Sequence, residues 1–320
     1  MGKLLFSEQT TRRRLLSGLG AAGIAAAAGC SGESGEIIRW HAGGTGGTYF
    51  PLSGEFETII EDQTDYDLQV SSTGASVENV GSLGAGDADF ALIQNDVAYF
   101  AKNGTGIEAF QDDPVDALRG VATLYPETIH ILTRPDADIS AITDLEGSPV
   151  NTGDLGSGTQ INALQILESV AGLTPDDFDE QNTEFTQAAN QIRDGSIDAA
   201  FIVGGWPVGA VEELATTTDV NVLNLDQDAR EAAKQDASWF ADDTIPGGTY
   251  DGVDEDVNTV SVQAMIATRA GYDADIVEEI TEAVFENTDD LSIKSDFIGA
   301  ETAQEGMSIE PHEGATRYFE

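Results

Sequence analysis

Basic charge is the scarcest thing in this sequence. Against 58 Asp and Glu stand only 14 Lys and Arg, a formal net charge of −44 over 320 residues. No basic patch is available to neutralise phosphates, which argues against a nucleic-acid partner. Only four residues are lysine: Lys3, Lys102, Lys234 and Lys294. With one cysteine, Cys30, no disulfide can form within the chain. The three histidines, His41, His130 and His312, lie far apart and in no H-E-x-x-H or H-x-x-x-H spacing. G-x-S-x-G elbows and D-x-D-x-D-G loops are missing as well. No local motif therefore supplies a catalytic nucleophile or a metal, and a triad assembled in space is the catalytic route left open. Acid pairs such as Asp87/Asp89 or Asp254/Asp256 are expected by chance among so many carboxylates.

Apolar material is sufficient. Hydrophobic residues make up 40% of the chain, enough for a core, so this is not a disordered acidic tail. The acids fall in short clusters on helix faces and loops, as on a solvated surface. A lysine-poor, acid-rich surface over an ordinary core suits concentrated salt. At about 1 M salt the Debye length is roughly 3 Å, and the self-repulsion of the carboxylates is screened.

The N-terminus reads as a separate object. Arg12, Arg13 and Arg14 precede an alanine-rich apolar stretch of about 14 residues. A spanning helix needs roughly 20, so this length suits an export signal. The paired arginines resemble a twin-arginine signal. Cys30 ends "AAGC", which resembles a lipobox, in which that cysteine becomes the lipidated first residue. The expected plan is an export signal over 1–29 and a lipid-anchored tether over 30–36, on the extracytoplasmic face of the membrane. Loss of residues 1–29 removes four basic residues and one acidic, leaving a charge of −47.

Past the tether, short apolar runs alternate with amphipathic helical patterns: "IIRWHAG", then "LSGEFETIIEDQ"; "DLQVSST", then a helix opened by "GASVENV"; "ADFALIQ", then "NDVAYFAKNG". The pattern restarts after Asp144 with "SPVNTG" and "QINALQILESVAG", then "IDAAFIVGG" and "PVGAVEELATT". Gly104 and Gly172 are placed as helix C-caps, and Pro207 at a helix start. Strand–helix alternation predicts an α/β fold with largely parallel sheets. Two lobes are expected, 37–127 with 246–320 and 128–245, the chain crossing near 125–131 and returning near 245–262.

Three places share one design. Gly46-Gly47-Thr48, Gly74-Ala75-Ser76 and Gly156-Ser157-Gly158-Thr159 each stand between a predicted strand and a predicted helix. Each offers flexible backbone and a hydroxyl suited to capping the helix. The first turn of a helix has N–H groups without internal partners and carries about half a positive charge. Such turns hold a small oxyanion without an arginine, at the carboxyl ends of strands where ligands of open α/β sheets bind. The alternative is that they are ordinary caps and turns. A nucleotide site is disfavoured, because "GGTGGTYF" and "GDLGSGTQ" lack the lysine of a Walker loop. Tyr49, Tyr125 and Tyr250 stand where a ring could close over a ligand, or simply be half-buried packing. In "ALIQND", Gln94, Asn95 or Asp96 could face the same cleft.

The segments "GGTGGTYFPLSG", "SSTGASVENV", "FALIQNDVAYFA", "NTGDLGSGTQINA", "IDAAFIVGGWPVGAV" and "IPGGTYDGVDEDVNTVSV" occur in this order, followed by "PHEGATRYF". Together they resemble the TAXI family of TRAP-transporter solute receptors, from Ile37 to the end. The resemblance implies a two-lobed type II periplasmic-binding-protein fold with a ligand cleft between the lobes. It also implies a role without catalysis or cofactor: capture of a small organic acid or glutamate-like amino acid and delivery to a membrane permease driven by an ion gradient. Carried over by position, it points to Gly46, Gly47, Thr48, Tyr49, Ser76, Asn79, Gln94, Asp96, Ser157, Gly158 and Thr159. Phe50, Asn95 and Trp206 depart from the family pattern. An enzyme on the same bilobal fold and an acidic, cation-binding surface protein are the competing readings.

Overall fold

The computed structural model describes residues 35–320. The export signal and Cys30 lie outside the described residues, as does the tether up to residue 34.

The first half opens with β1 (Glu36–His41), α1 (Tyr49–Gln63), β2 (Tyr66–Ser71), α2 (Ser76–Ala85), β3 (Phe90–Gln94) and α3 (Asn95–Asn103). The long strand β4 (Leu118–Thr133) leads to β5 (Pro149–Asn151), α4 (Gly158–Ala171), β6 (Asp179–Gln181), α5 (Phe185–Asp194), β7 (Ala199–Gly204) and α6 (Gly209–Thr217). Then come β8 (Asn221–Val222), α7 (Gln227–Asp236), β9 (Ala241–Ile245), the long strand β10 (Val257–Arg269), α8 (Ala274–Phe285) and α9 (Glu313–Phe319). Gly104 and Gly172 close α3 and α4 with φ of 62° and 68°, the left-handed conformation that releases a helix. Pro207 falls outside its helix: Val208 is the N-cap of α6.

The strands form one sheet in the order β2-β1-β3-β10-β4-β7-β5-β6, with β8 beside β4 and β9 beside β10. Its flanks are parallel, as the alternation predicts: β1 pairs with β2 and β3, and β5 with β6 and β7. Its centre is antiparallel, because β4 and β10 carry the chain through in opposite directions. Along β4 the pairing passes from β10 to β7 at Thr128. The two apolar stretches around Pro126 are thus one strand. Pro126 stands opposite Gln263, where the register of β10 shifts before Met265, so the missing N–H breaks no regular ladder.

Separate apolar clusters sit on either side of these strands. One is built on Trp40, which stacks on Phe90 with centroids 5.5 Å apart and meets Phe56 edge-on at 5.8 Å. The buried indole N–H donates to Ser53 Oγ at 2.9 Å, so the ring is buried with its polar handle satisfied. Another joins Phe201, Val150 and Ile129 of the central and distal strands to Ile166 and Leu167 of α4.

Candidate functional site

The turns β1–α1, β2–α2 and β5–α4 line one cavity of about 60 Å³. A water needs roughly 10–15 Å³ by this measure, so the space suits about four to six waters or a small solute. Gly46, Gly47, Thr48 and Tyr49 line it from the first turn, Ser76 from the second, and Ser157, Gly158 and Thr159 from the third. Gln94 at the end of β3 joins them. Two of the glycines lie close to neighbouring side chains. A β-carbon on Gly46 would lie 2.6 Å from Thr186 Oγ1, and one on Gly158 would overlap Gln94 Oε1.

Only one of the three hydroxyls caps its helix. Ser157 Oγ accepts from Gln160 N–H at 3.1 Å at the start of α4. Thr48 instead donates to the Gly205 carbonyl at 3.2 Å, tying the first turn to the segment before α6. Gly46 adds to that tie by accepting from Ala210 N–H at 3.1 Å. Ser76 Oγ accepts from Gln94 N–H at 3.1 Å. No side chain caps α1 or α2, and their first-turn N–H groups keep an unmet need for an acceptor. Ala75, before α2, holds φ 68°, a strained conformation for alanine of the kind that concentrates at binding sites.

Four anticipated residues do not line the cavity. Asn79 is a brace: its Nδ2 donates to the carbonyls of Ala42 (2.7 Å) and Leu92 (2.8 Å), and its Oδ1 accepts from Thr73 Oγ1 at 2.7 Å. Asp96 is fully buried and accepts from Asn162 Nδ2 at 2.7 Å through Oδ2. Tyr125 is buried beside the cavity, with no hydrogen-bond partner for its hydroxyl. Tyr250 faces away into a separate apolar cluster. Its oxygen accepts from Val208 N–H and its O–H donates to His130 Nε2, both at 2.9 Å, while His130 Nδ1–H donates to the Thr128 carbonyl at 3.0 Å. Burial pushes His130 down to about 4, so this histidine is a neutral, satisfied core residue.

The family departures also fall outside the lining. Trp206 packs edge-on against Phe297 at 6.1 Å, with Lys294 Nζ 5.1 Å from its ring and donating to its carbonyl. Asn95 braces β10 by accepting from Gln263 N–H at 3.1 Å. Phe50 packs on the Trp40 cluster.

The sequence reading missed Glu127, on β4, which lines the cavity while only 3% exposed. Burial pushes its carboxyl up to about 8, against the opposing pull of Tyr125, Lys294 and Gln94. Asp154 and Glu184 line the rim, and no lysine or arginine lines the cavity. Tyr49 OH, Gln94 Oε1 and Glu127 Oε1 are buried on its lining without a well-formed hydrogen bond, although Ser76 lies close to Tyr49 and Tyr125 and Gln94 lie close to Glu127. Next to them Asp96 Oδ1 and Asn162 Oδ1 are equally unpaired. Each such group costs about 1–3 kcal/mol, so the cluster is a reservoir of unmet hydrogen bonding at one spot. Among the described residues no cluster of His, Cys, Asp and Glu has metal-site geometry, and no helix is long and apolar enough to cross a membrane.

The chain is similar to several solved structures. PhnD1 from Prochlorococcus marinus in complex with methylphosphonate matches with a TM-score of 0.54 at 7% identity, over 82% of this chain and 88% of that one. A protein of Bordetella bronchiseptica matches with a TM-score of 0.54 at 12% identity, over 89% and 83%. A mutant of ArgBP from T. maritima matches with 0.50 at 15%, over 82% and 92%. These likenesses show the two-lobed type II periplasmic-binding-protein fold. In sequence, the NMT1-like family matches residues 41–320, every element from the last residue of β1 onward. The chain belongs to the NMT1-like family.

Proposed function

We propose that the chain is the solute receptor of a TRAP-type secondary transporter, capturing a small carboxylate solute and releasing it to a membrane permease. One observation carries this reading. Three strand-to-helix turns line a single small cavity whose buried polar atoms lack partners, as expected of a site completed by a ligand. The uncapped starts of α1 and α2 supply N–H groups for the carboxylate. The function is binding, without turnover. The described residues offer no nucleophile–base pair at the cavity, and the fully buried His130 is committed to Tyr250 and Thr128.

The TRAP assignment rests on the ordered motifs that resemble the TAXI receptors. In this reading, 37–127 with 246–320 and 128–245 are the lobes that close on the solute. Cys30 carries the lipid that holds the receptor outside the membrane. Calorimetry in molar salt with glutamate, glutamine, 2-oxoglutarate and C4 dicarboxylates tests the reading. Binding of one of them, weakened by Thr48→Ala, is expected; heat from none of them contradicts it. Uptake by vesicles holding receptor and permease separates the coupling modes. Dependence on an ion gradient supports the TRAP assignment, and dependence on ATP overturns it.

A further inference from the structure

The receptor reading assigns the carboxylate of the solute to the starts of α1 and α2 and leaves open what bounds the rest of it. The three turns line the cavity mostly with glycine, serine and threonine. Two aromatic rings interrupt these small residues, Tyr49 and Phe185. Tyr49 opens α1 and is 6% exposed within the Trp40 cluster, so its ring belongs to the core. Phe185 opens α5 and is half-buried. With Val203 of β7 it supplies the apolar lining that comes from 128–245.

The ring of Phe185 is held from several sides. Glu184, the N-cap of α5, accepts from Thr186 N–H at 2.9 Å and from Gln187 N–H at 2.8 Å, which fixes the helix start that carries the ring. Ala188 and Ile192 of α5 pack with Ile202 of β7 and Val211 of α6, and Phe185 rests on that cluster. Its ring also lies over the first turn: a β-carbon on Gly47 would come within 3.3 Å of Phe185 Cε2. The start of α5 thus abuts the β1–α1 turn at the cavity. It is not a further anion site, because Glu184 occupies two of its first-turn N–H groups and brings a negative charge of its own.

We infer that Phe185 is the size stop of the receptor: its ring, backed by Val203, bounds the cavity and decides how large a solute the helix starts of α1 and α2 can hold. The inference rests on the receptor reading and adds the residue that sets its upper limit. A cavity of about 60 Å³ leaves little slack. A packed cluster does not yield freely, so an added methylene meets a wall that stays in place. One methylene at such a wall is worth about 10–200-fold in affinity. Replacing the ring by a methyl group opens space at the same spot without touching the N–H groups that take the carboxylate.

Calorimetry in molar salt with homologues that differ by single methylenes tests it. The probes are succinate, glutarate, adipate and pimelate; L-aspartate, L-glutamate, L-2-aminoadipate and L-2-aminopimelate; and 2-oxoglutarate, 2-oxoadipate and 2-oxopimelate. In whichever series binds, the wild type is expected to lose at least about tenfold in affinity at one added methylene. Phe185→Ala is expected to bind the first excluded homologue at least about tenfold more tightly than the wild type does, without a matching gain for the shorter ones. Phe185→Leu should fall between. A merely structural role for the ring would weaken every homologue by the same factor. That uniform loss, a wild type without a cut-off, or a cut-off unmoved in both variants overturns the size stop and leaves the receptor reading standing. Heat from none of the probes overturns both. The wild-type series and the milder Phe185→Leu decide the matter even if Phe185→Ala does not fold.

Discussion

Two buried carboxylates in this molecule have opposite fates. Asp89, 4% exposed, accepts from Arg39 Nε (2.9 Å) and Nη2 (2.7 Å) and from Arg269 Nη2 (3.1 Å). Burial raises its pKa, but these hydrogen bonds outweigh that and hold it below the usual carboxylate range. Glu127, 3% exposed, has an oxygen with no partner and is pushed up to about 8. Both are nearly covered, but Glu127 lies deeper and has no cation bonded to it, so depth and partner together decide what each carboxylate does. The paired one ties β1 to β10, and the unpaired one stores a cost that a ligand can remove.

Substitution should set the two apart by sign. Asp89→Ala leaves two arginines without their shared counter-charge and is expected to cost about 3–5 kcal/mol, read as a lower melting midpoint in molar salt. Because the folded pKa of Asp89 is depressed, its contribution is present at neutral pH and is lost as pH falls through the acid range. Glu127→Gln runs the other way. In the empty protein at pH 8 it should stabilise by about 1–3 kcal/mol, since it removes a buried charge without a partner. The folded pKa of Glu127 is raised, so the native state holds its proton more tightly than the unfolded chain. Its contribution is full below the ordinary value of 4.5 and is lost as pH rises toward about 8. Melting curves between pH 5 and pH 8 should show that decline in the wild type and a flatter profile in Glu127→Gln.

Smaller effects sharpen the same contrast between groups used by the fold and groups held for a ligand. Ser157→Ala removes a true N-cap and is expected to cost about 1 kcal/mol of stability. Thr48→Ala breaks the tie to the Gly205 carbonyl and is expected to cost about 1 kcal/mol of stability as well as to weaken solute binding. Arg317 reaches Asp275, Glu278 and Glu313 on the exposed surface, and Arg317→Ala should leave the melting midpoint unchanged in molar salt.

The alternation of elements and the three turns were legible in the sequence, because apolar period and glycine placement are local signals. The use made of each hydroxyl was not. Thr48 and Ser76 look like caps by position, but Gly205 and Gln94, distant in sequence, compete for them in the fold. Tyr250 sits in a turn-rich stretch that suggested the cleft, yet its hydroxyl is claimed by Val208 and His130. Glu127 went unread because one acid after Tyr125-Pro126 resembles an interruption between two strands. Its readable mark was a lone carboxylate inside an otherwise apolar run, at the point where β4 changes partner.

The most direct measurement is a crystal structure of the protein saturated with L-glutamate in molar salt. The account predicts the solute among the three turns, with a carboxylate on the N–H groups opening α1 and α2. A solute bound elsewhere, or held with its carboxylate away from those helix starts, would contradict it.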